Sequence, residues 1–199
     1  GSLGTFGIAG GSVDVAALVD LSAAAMVLNL NSGGLLSNAQ NLTIPNTFNI
    51  GTATLSGPGL FTTPAGSITT MDDPTITNLA WLNQGIVNWI PINTSTSDFT
   101  LNTATFTNQG TLLLQNLNAG STVFTAGGGT LINDVTGIIN ANPTTNLTIS
   151  TVFTNNATTG FFNTLSGTTQ LNNAANTNQG NINIGTGSTL QVGVGDALV

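Results

Sequence analysis

The sequence predicts an all-β chain that folds as a single-stranded parallel β-helix, a solenoid with rungs of 22–25 residues. An asparagine recurs at the near-constant spacings of 25, 25, 22 and 23, and similar apolar and glycine positions surround each copy. A fixed period of about 20–50 residues is typical of solenoids and repeat arrays. The five asparagines are Asn83, Asn108, Asn133, Asn155 and Asn178.

Each asparagine lies in a phrase that predicts strand, polar turn and strand, such as 106–114. The residue two before the asparagine is apolar in four of the five copies, and the sixth residue after it is apolar in all five. Alternating apolar and polar positions are typical of a half-buried strand. The aromatic residues that we expect in the core are Trp81, Trp89, Phe106, Phe153 and Phe161.

Stacked rungs would place the five asparagines in one column, with about 4.8 Å between neighbours. Their side-chain amides can then hydrogen-bond to each other and to the turn backbone. The sequence therefore predicts a structural asparagine ladder along the solenoid.

The repeat is least clear at the start of the chain, so we divide the chain into a cap or irregular rungs over 1–50 and the β-helix over 51–199. Residues 13–30 are rich in alanine and follow Ser12, a helix N-cap residue type, which is compatible with a capping helix. Residues 11–15 also fit a glycine–serine–strand phrase, and both alternatives remain open at this point.

Composition excludes several classes of function. The chain contains no Lys, Arg, His, Cys or Tyr, and its seven acidic residues are all Asp, so the formal net charge is −7. Without cations, the side chains cannot neutralise nucleic-acid phosphates or an anionic membrane surface. No apolar run reaches the roughly 20 residues that span a bilayer. We expect no nucleic-acid partner, no membrane insertion and no cofactor.

Two further features concern location and partners. Secreted and surface proteins are often acidic and rich in Thr, Asn, Ser and Gly, and the absence of Lys and Arg removes every trypsin site. The apolar segment 192–199 has no evident polar cap, which favours stacking on another copy or continuation into further rungs. The first residue is not Met, which indicates a processed chain or an excerpt.

The phrase 106–114, followed by Gly120-Ser121-Thr122, resembles the repeats of large bacterial surface and secreted proteins of the adhesin type. These repeats read F-x-N-x-G-T-L-x-L. The likeness covers residues 50–195 well and implies a parallel β-helix that is extracellular or attached to the cell surface. It also implies a stalk, adhesive segment or fibre. This chain differs from the pattern in lacking all basic residues.

The carboxylates are the main candidates for chemistry. Asp73 and Asp98 are 25 residues apart, and stacking would bring them close enough to act as a glycosidase pair. With Asp72 they form a weak calcium candidate, because Ca²⁺ takes several oxygen ligands. Both aspartates also fit turn positions, beside Pro74 and after the polar run 94–97. We therefore predict no catalytic residue and no metal.

The remaining patterns carry less weight. Trp81 and Trp89 suit a sugar-stacking platform, but their positions in the apolar columns favour the core. Threonine pairs such as Thr105 and Thr107 are out of step with the period, which argues against an ice-binding face. Four sequons offer glycosylation acceptors, at Asn41, Asn93, Asn146 and Asn156.

The sequence as a whole predicts a non-enzymatic extracellular structural or adhesive protein that self-associates into a fibre or forms a surface stalk. Its expected partners are copies of itself or adjoining rungs of a longer chain, and glycans are a further option. One alternative is a β-sandwich pilus subunit that donates its first strand to the next copy. The other is a β-helix that binds or cleaves polysaccharide.

Overall fold

The chain forms a parallel β-solenoid, as the asparagine interval predicts. The computed structural model describes residues 4–23, 25–91, 98–116, 122–124 and 126–193. All strand pairs named there run parallel, and this part of the chain contains strands and turns without a helix. A β-sandwich pilus domain is therefore not the architecture. None of these residues forms a helix of the length and apolarity that crossing a membrane requires.

Twenty-seven short strands make up the described part of the coil. The first nine are β1 (Gly4–Ile8), β2 (Ser12–Val15), β3 (Val19–Asp20), β4 (Met26–Leu30), β5 (Leu35–Asn38), β6 (Leu42–Thr43), β7 (Thr47–Ile50), β8 (Thr54–Ser56) and β9 (Leu60–Thr63). The next nine are β10 (Ile68–Met71), β11 (Thr75–Thr77), β12 (Ala80–Asn83), β13 (Ile86–Trp89), β14 (Thr100–Asn102), β15 (Thr105–Asn108), β16 (Thr111–Asn116), β17 (Thr122–Phe124) and β18 (Ala126–Gly127). The last nine are β19 (Thr130–Asn133), β20 (Ile138–Pro143), β21 (Asn146–Ile149), β22 (Val152–Asn155), β23 (Phe161–Thr164), β24 (Thr168–Leu171), β25 (Thr177–Asn178), β26 (Ile182–Ile184) and β27 (Thr189–Val192).

The strands stack into three faces. Sheet A has the order β1-β4-β7-β10-β13-β16-β20-β23-β26, and sheet C has the order β25-β22-β19-β15-β12-β9-β6-β3. The remaining face is divided between sheet B, β18-β14-β11-β8-β5-β2, and sheet D, β17-β21-β24-β27. The chain visits the three faces in turn, so each strand pairs with its equivalent one rung away.

Rung length varies more than the asparagine interval. In sheet A, Ile68 pairs with Ile86, whereas Thr111 pairs with Ile138, so the second of these rungs is about half as long again as the first. The strands keep their register while the turns between them change in length. The longest rung contains both β17 and β18, and it is where sheet B ends and sheet D begins.

The start of the chain also forms strands. The alanine-rich stretch 13–30 contains part of β2, all of β3 and all of β4, and β2 pairs with β5. The helical alternative for this stretch is therefore wrong for its described residues. Gly10 has a φ of 64° in the turn between β1 and β2, a conformation that glycine adopts without strain.

The core is a continuous apolar column inside the coil. Aromatic rings contact one another across successive rungs: Phe61 and Trp81 have centroids 5.0 Å apart, and Trp81 and Phe106 also 5.0 Å. Phe48 extends this stack at one end, and Phe99 and Trp89 continue it beyond Phe106. Such ring contacts stabilise the coil beyond the area that they bury, by about 0.5–1.5 kcal/mol per pair.

Candidate functional site: the amide ladders and the surface of the coil

The five repeat asparagines stack in one column at the end of the sheet C strands. Asn83 Nδ2 donates to Asn108 Oδ1 at 2.7 Å, and Asn108 Nδ2 donates to Asn133 Oδ1 at 2.9 Å. The series continues from Asn133 to Asn155 at 2.9 Å and from Asn155 to Asn178 at 2.7 Å. Strand pairing sets this register, because Asn83, Asn108, Asn133 and Asn155 occupy equivalent positions of β12, β15, β19 and β22.

Each of the first four ladder asparagines also donates to a backbone carbonyl just after the turn that follows the next rung's asparagine. Asn83 Nδ2 donates to the carbonyl of Thr111 at 3.1 Å, and Asn108 Nδ2 donates to that of Ile138 at 3.1 Å. The first four ladder residues are fully buried, whereas Asn178 is only half-buried. An amide buried without partners is costly, so the stacked arrangement satisfies groups that a single rung leaves unpaired.

Glycine follows the asparagine where rungs approach most closely. A Cβ placed on Gly110 would fall on the backbone of Gln84 and Gly85 in the preceding rung. The ladder and the close backbone contact therefore occur at the same corner of the coil, between sheet C and sheet A.

Four of the five aromatic residues that we expect in the core are there. Trp81, Trp89, Phe106 and Phe153 are each at most 1% exposed. The Trp81 indole N–H donates to Thr63 Oγ1 at 2.8 Å, and the Trp89 indole N–H donates to the backbone carbonyl of Asp72. Buried in this way, neither indole is available to stack on a sugar.

The prediction for Phe161 is wrong. Phe161 is 37% exposed, and the adjacent Phe162 is the core residue. The turn after Asn155 is longer than the turn after Asn108: Thr111 begins its strand three residues after the asparagine, whereas Phe161 begins its strand six residues after it. A fixed offset therefore selects the opposite face, because neighbouring residues of a strand point to opposite sides.

The aspartates that the structure describes do not form a group of three metal ligands. Pairing of Thr75 with Thr100 does bring the segments after Asp73 and Asp98 side by side. However, within the residues that the structure describes, no three His, Cys, Asp or Glu side chains are grouped so that they could hold a metal. Burial raises the pKa of the Asp98 carboxyl above its usual range. The Asp20 carboxyl has a lowered pKa, because the side chain and the backbone N–H of Ser22 both donate hydrogen bonds to it.

The sequons differ in accessibility. Asn41 and Asn146 are exposed and Asn156 is half-buried. The side-chain oxygen of Asn41 accepts a hydrogen bond from the backbone N–H of Leu60 at 3.1 Å. Asn93 lies outside the described residues.

A second set of amide ladders lies on the outer face of sheet A, and the sequence reasoning missed it. Asn49 donates to Asn29 at 2.8 Å. Further along the same column, Asn163 donates to Asn140 at 2.8 Å and Asn183 donates to Asn163 at 3.0 Å. The sequence signal is an asparagine inside each of these strands. Because the intervals between these asparagines are unequal, a search for a constant period does not find them.

A threonine column on sheet B was missed for the same reason. Thr54, Thr75 and Thr100 pair in register on three successive rungs. The neighbouring outward positions are Ser56, Thr77 and Asn102. The unequal intervals between these threonines conceal the column from a search at constant spacing.

The threonine pair that the sequence did single out does not extend into an array. Thr105 and Thr107 lie on sheet C, where their partners on one side are Ala80 and Leu82. On the other side Thr105 pairs with Thr130, but Thr107 pairs with Ile132. Matching threonine pairs are therefore missing from both adjacent strands.

Comparison with known proteins identifies no relative: no protein-family model, no curated protein and no solved structure matches this chain. Its function is therefore inferred from the fold and from the chemistry of its surfaces.

Proposed function

We propose that this protein is a non-enzymatic structural or adhesive element of the extracellular space or the cell surface, where it self-associates into a fibre or forms part of a stalk. The observation that carries this proposal is the asparagine ladder, which runs from Asn83 to Asn178 without a break. The ladder fixes five successive rungs to one another, and the aromatic stack does the same inside the coil.

A mechanical role is supported by where the polar chemistry lies. The buried amides are engaged with each other and with turn carbonyls, so they serve cohesion rather than a reactive centre. Stacking of like on like gives the coil stiffness along its axis, as in other stacked-strand assemblies.

The charge of the chain favours partners that are uncharged, such as glycans, or that are copies of the chain itself. The side chains carry seven carboxylates and no cation, which disfavours attachment through phosphates or anionic lipids. Glycans are compatible with a surface rich in Asn and Thr, and a polysaccharide-binding role remains the alternative from another class.

Light scattering over a concentration series tests the self-association. We expect the weight-average mass of the purified protein to exceed that of the monomer and to rise with concentration at neutral pH. A monomer mass at every concentration would contradict self-association. A carbohydrate array probed with the same preparation tests the glycan-binding alternative.

A further inference from the structure

The outer face of sheet A is formed by strands without charged side chains. None of its nine strands contains an acidic residue. Among the described aspartates, Asp14 lies on sheet B, Asp20 lies on sheet C, and Asp73, Asp98 and Asp134 lie beside or between strands. Asp72 directly follows Met71 at the end of β10, so one carboxylate borders this face. Two copies, each with a net charge of −7, repel one another less when they approach through strands that carry no carboxylates.

The same face carries exposed apolar side chains in one column. Ile68 is 46% exposed and pairs with Ile86, which is 38% exposed. The polar Thr111 interrupts the apolar column, which continues through the half-buried Ile138 to Phe161, which is 37% exposed. Sheet C has no large apolar residue of comparable exposure on its outer face within the described strands. An apolar strip of this kind, bordered by polar residues, is typical of an interaction surface.

Beside the apolar column runs the outer amide column. Asn140, Asn163 and Asn183 are hydrogen-bonded in series, so these carboxamides are held in fixed orientations. Each carboxamide has more hydrogen-bonding capacity than the ladder uses. The two columns together form a surface with apolar side chains where the strands begin and oriented polar groups two residues further along.

The size of this surface suits a second copy. Eight strand spacings of about 4.8 Å give a length of about 38 Å, and strands of three to six residues give a width of about 10–20 Å. Two such faces in contact bury on the order of 1,000 Å², which is the lower range of specific protein interfaces. A two-fold axis brings the same patch of both copies into contact, so one surface serves both partners.

We infer that the outer face of sheet A is a lateral contact surface between two copies of this chain, with the apolar column from Ile68 to Phe161 as its main apolar contact. This inference rests on the proposed function and specifies its contact. Association through an uncharged face between like-charged molecules strengthens with salt. Raising ionic strength from about 0.01 M to about 1 M shortens the Debye length from about 30 Å to about 3 Å and screens the repulsion.

Sedimentation equilibrium of the unmodified chain and two matched variants tests the inference. Ile86→Asp places a carboxylate in the apolar column, and Ile132→Asp makes the same change on the outer face of sheet C. We expect the unmodified chain and Ile132→Asp to form dimers that tighten with salt, and Ile86→Asp to raise the dimer dissociation constant at least about tenfold. The fluorescence of buried Trp81 and Trp89 shows whether each variant is folded. Ile68→Asp is the substitute if Ile86→Asp does not fold.

Each contrary result has a distinct meaning. Equal weakening by Ile86→Asp and Ile132→Asp overturns the assignment of the face, and so does association that weakens with salt. If light scattering still shows large assemblies of folded Ile86→Asp, the proposed function stands and this contact surface is wrong. A monomeric unmodified chain at every salt concentration overturns both this contact surface and the self-associating form of the proposed function.

Discussion

At the scale of single residues, the buried carboxamides constrain the fold because they need hydrogen-bond partners on neighbouring rungs. Asn108 donates to one neighbour and accepts from another, and it also holds the Ile138 carbonyl. Removing it leaves several buried groups without partners at once. The ladder therefore depends on its interior members more than on its ends.

Asn108→Ala is expected to lower the free energy of unfolding by about 1–3 kcal/mol for each buried polar group left unpaired. Asn178→Ala is the matched control, since Asn178 is half-buried and lies at the end of the ladder. Denaturant unfolding of both variants measures the difference. Equal losses at the two positions would show that the ladder does not stabilise the coil in this way.

Thr103 is a residue in an unfavourable backbone conformation. Its φ is 53°, and the equivalent corners of neighbouring rungs have Gly57, Asn78 and Gly128, also with positive φ. A β-branched residue is strained there, at a cost of about 1–2 kcal/mol, whereas asparagine tolerates this region. Glycine or asparagine therefore occupies this corner in three of the four rungs.

We expect Thr103→Asn to raise the free energy of unfolding by up to roughly 1 kcal/mol, because the exposed Thr103 side chain makes little packing contribution. Thr107→Asn, on a strand of sheet C, is the control and should give no gain. Thermal unfolding compares the two. A loss of stability in Thr103→Asn would mean that the corner does not store this strain.

At the scale of strands and turns, the sequence predicts the repeat better than it predicts which residues of each strand face the core. The asparagine column is recoverable from spacing because its successive members lie 22–25 residues apart in the sequence. The column after the turn is not recoverable, since the turn after Asn155 is three residues longer than the turn after Asn108. A fixed offset places Phe161 in the core for this reason. Phe162, one position later, is the buried ring.

The outer columns were missed because the sequence intervals between their members change with the length of the turns and are not constant. The Asn29–Asn49 pair and the Asn140–Asn163–Asn183 series become visible only once the strand pairing is known. The asparagine phrases begin with Asn83 in β12, yet β1 to β11 already belong to the sheets of the later rungs. Their register is carried by apolar alternation without the asparagine phrase.

Gly110 marks the corner where one rung lies directly on the next. We expect Gly110→Ala to destabilise the coil by about 1–3 kcal/mol or more, because its Cβ would occupy the space of the Gly85 carbonyl and force the backbone apart. Gly11→Ala is the control, since a Cβ at Gly11 meets nothing within 4 Å. Their melting temperatures measure the difference. Similar values for the two variants would contradict this close contact.

At the scale of the whole molecule, charge is the property that sets conditions for stability and association. Burial raises the pKa of Asp98, so the folded protein binds that proton more tightly than the unfolded chain does. The stability that Asp98 contributes is fully present below its unfolded pKa and is lost as the pH rises through the raised folded pKa.

Asp98→Asn should therefore be more stable than the unmodified chain at neutral pH, and the difference should shrink as the pH falls toward about 4. Asp14→Asn removes the same charge from an exposed position of β2 and serves as the control. Melting temperatures between acidic and neutral pH report both effects. A gain for Asp14→Asn as large as that for Asp98→Asn would assign the effect to net charge rather than to burial.

Self-association of the coil is the property on which its proposed structural role depends most. Electron microscopy of the purified protein at neutral pH, without added partner and at two salt concentrations, is the decisive experiment. We expect ordered filaments or laterally paired rods that become more abundant at the higher salt concentration. Isolated particles of monomer size at both salt concentrations would contradict a self-associating role.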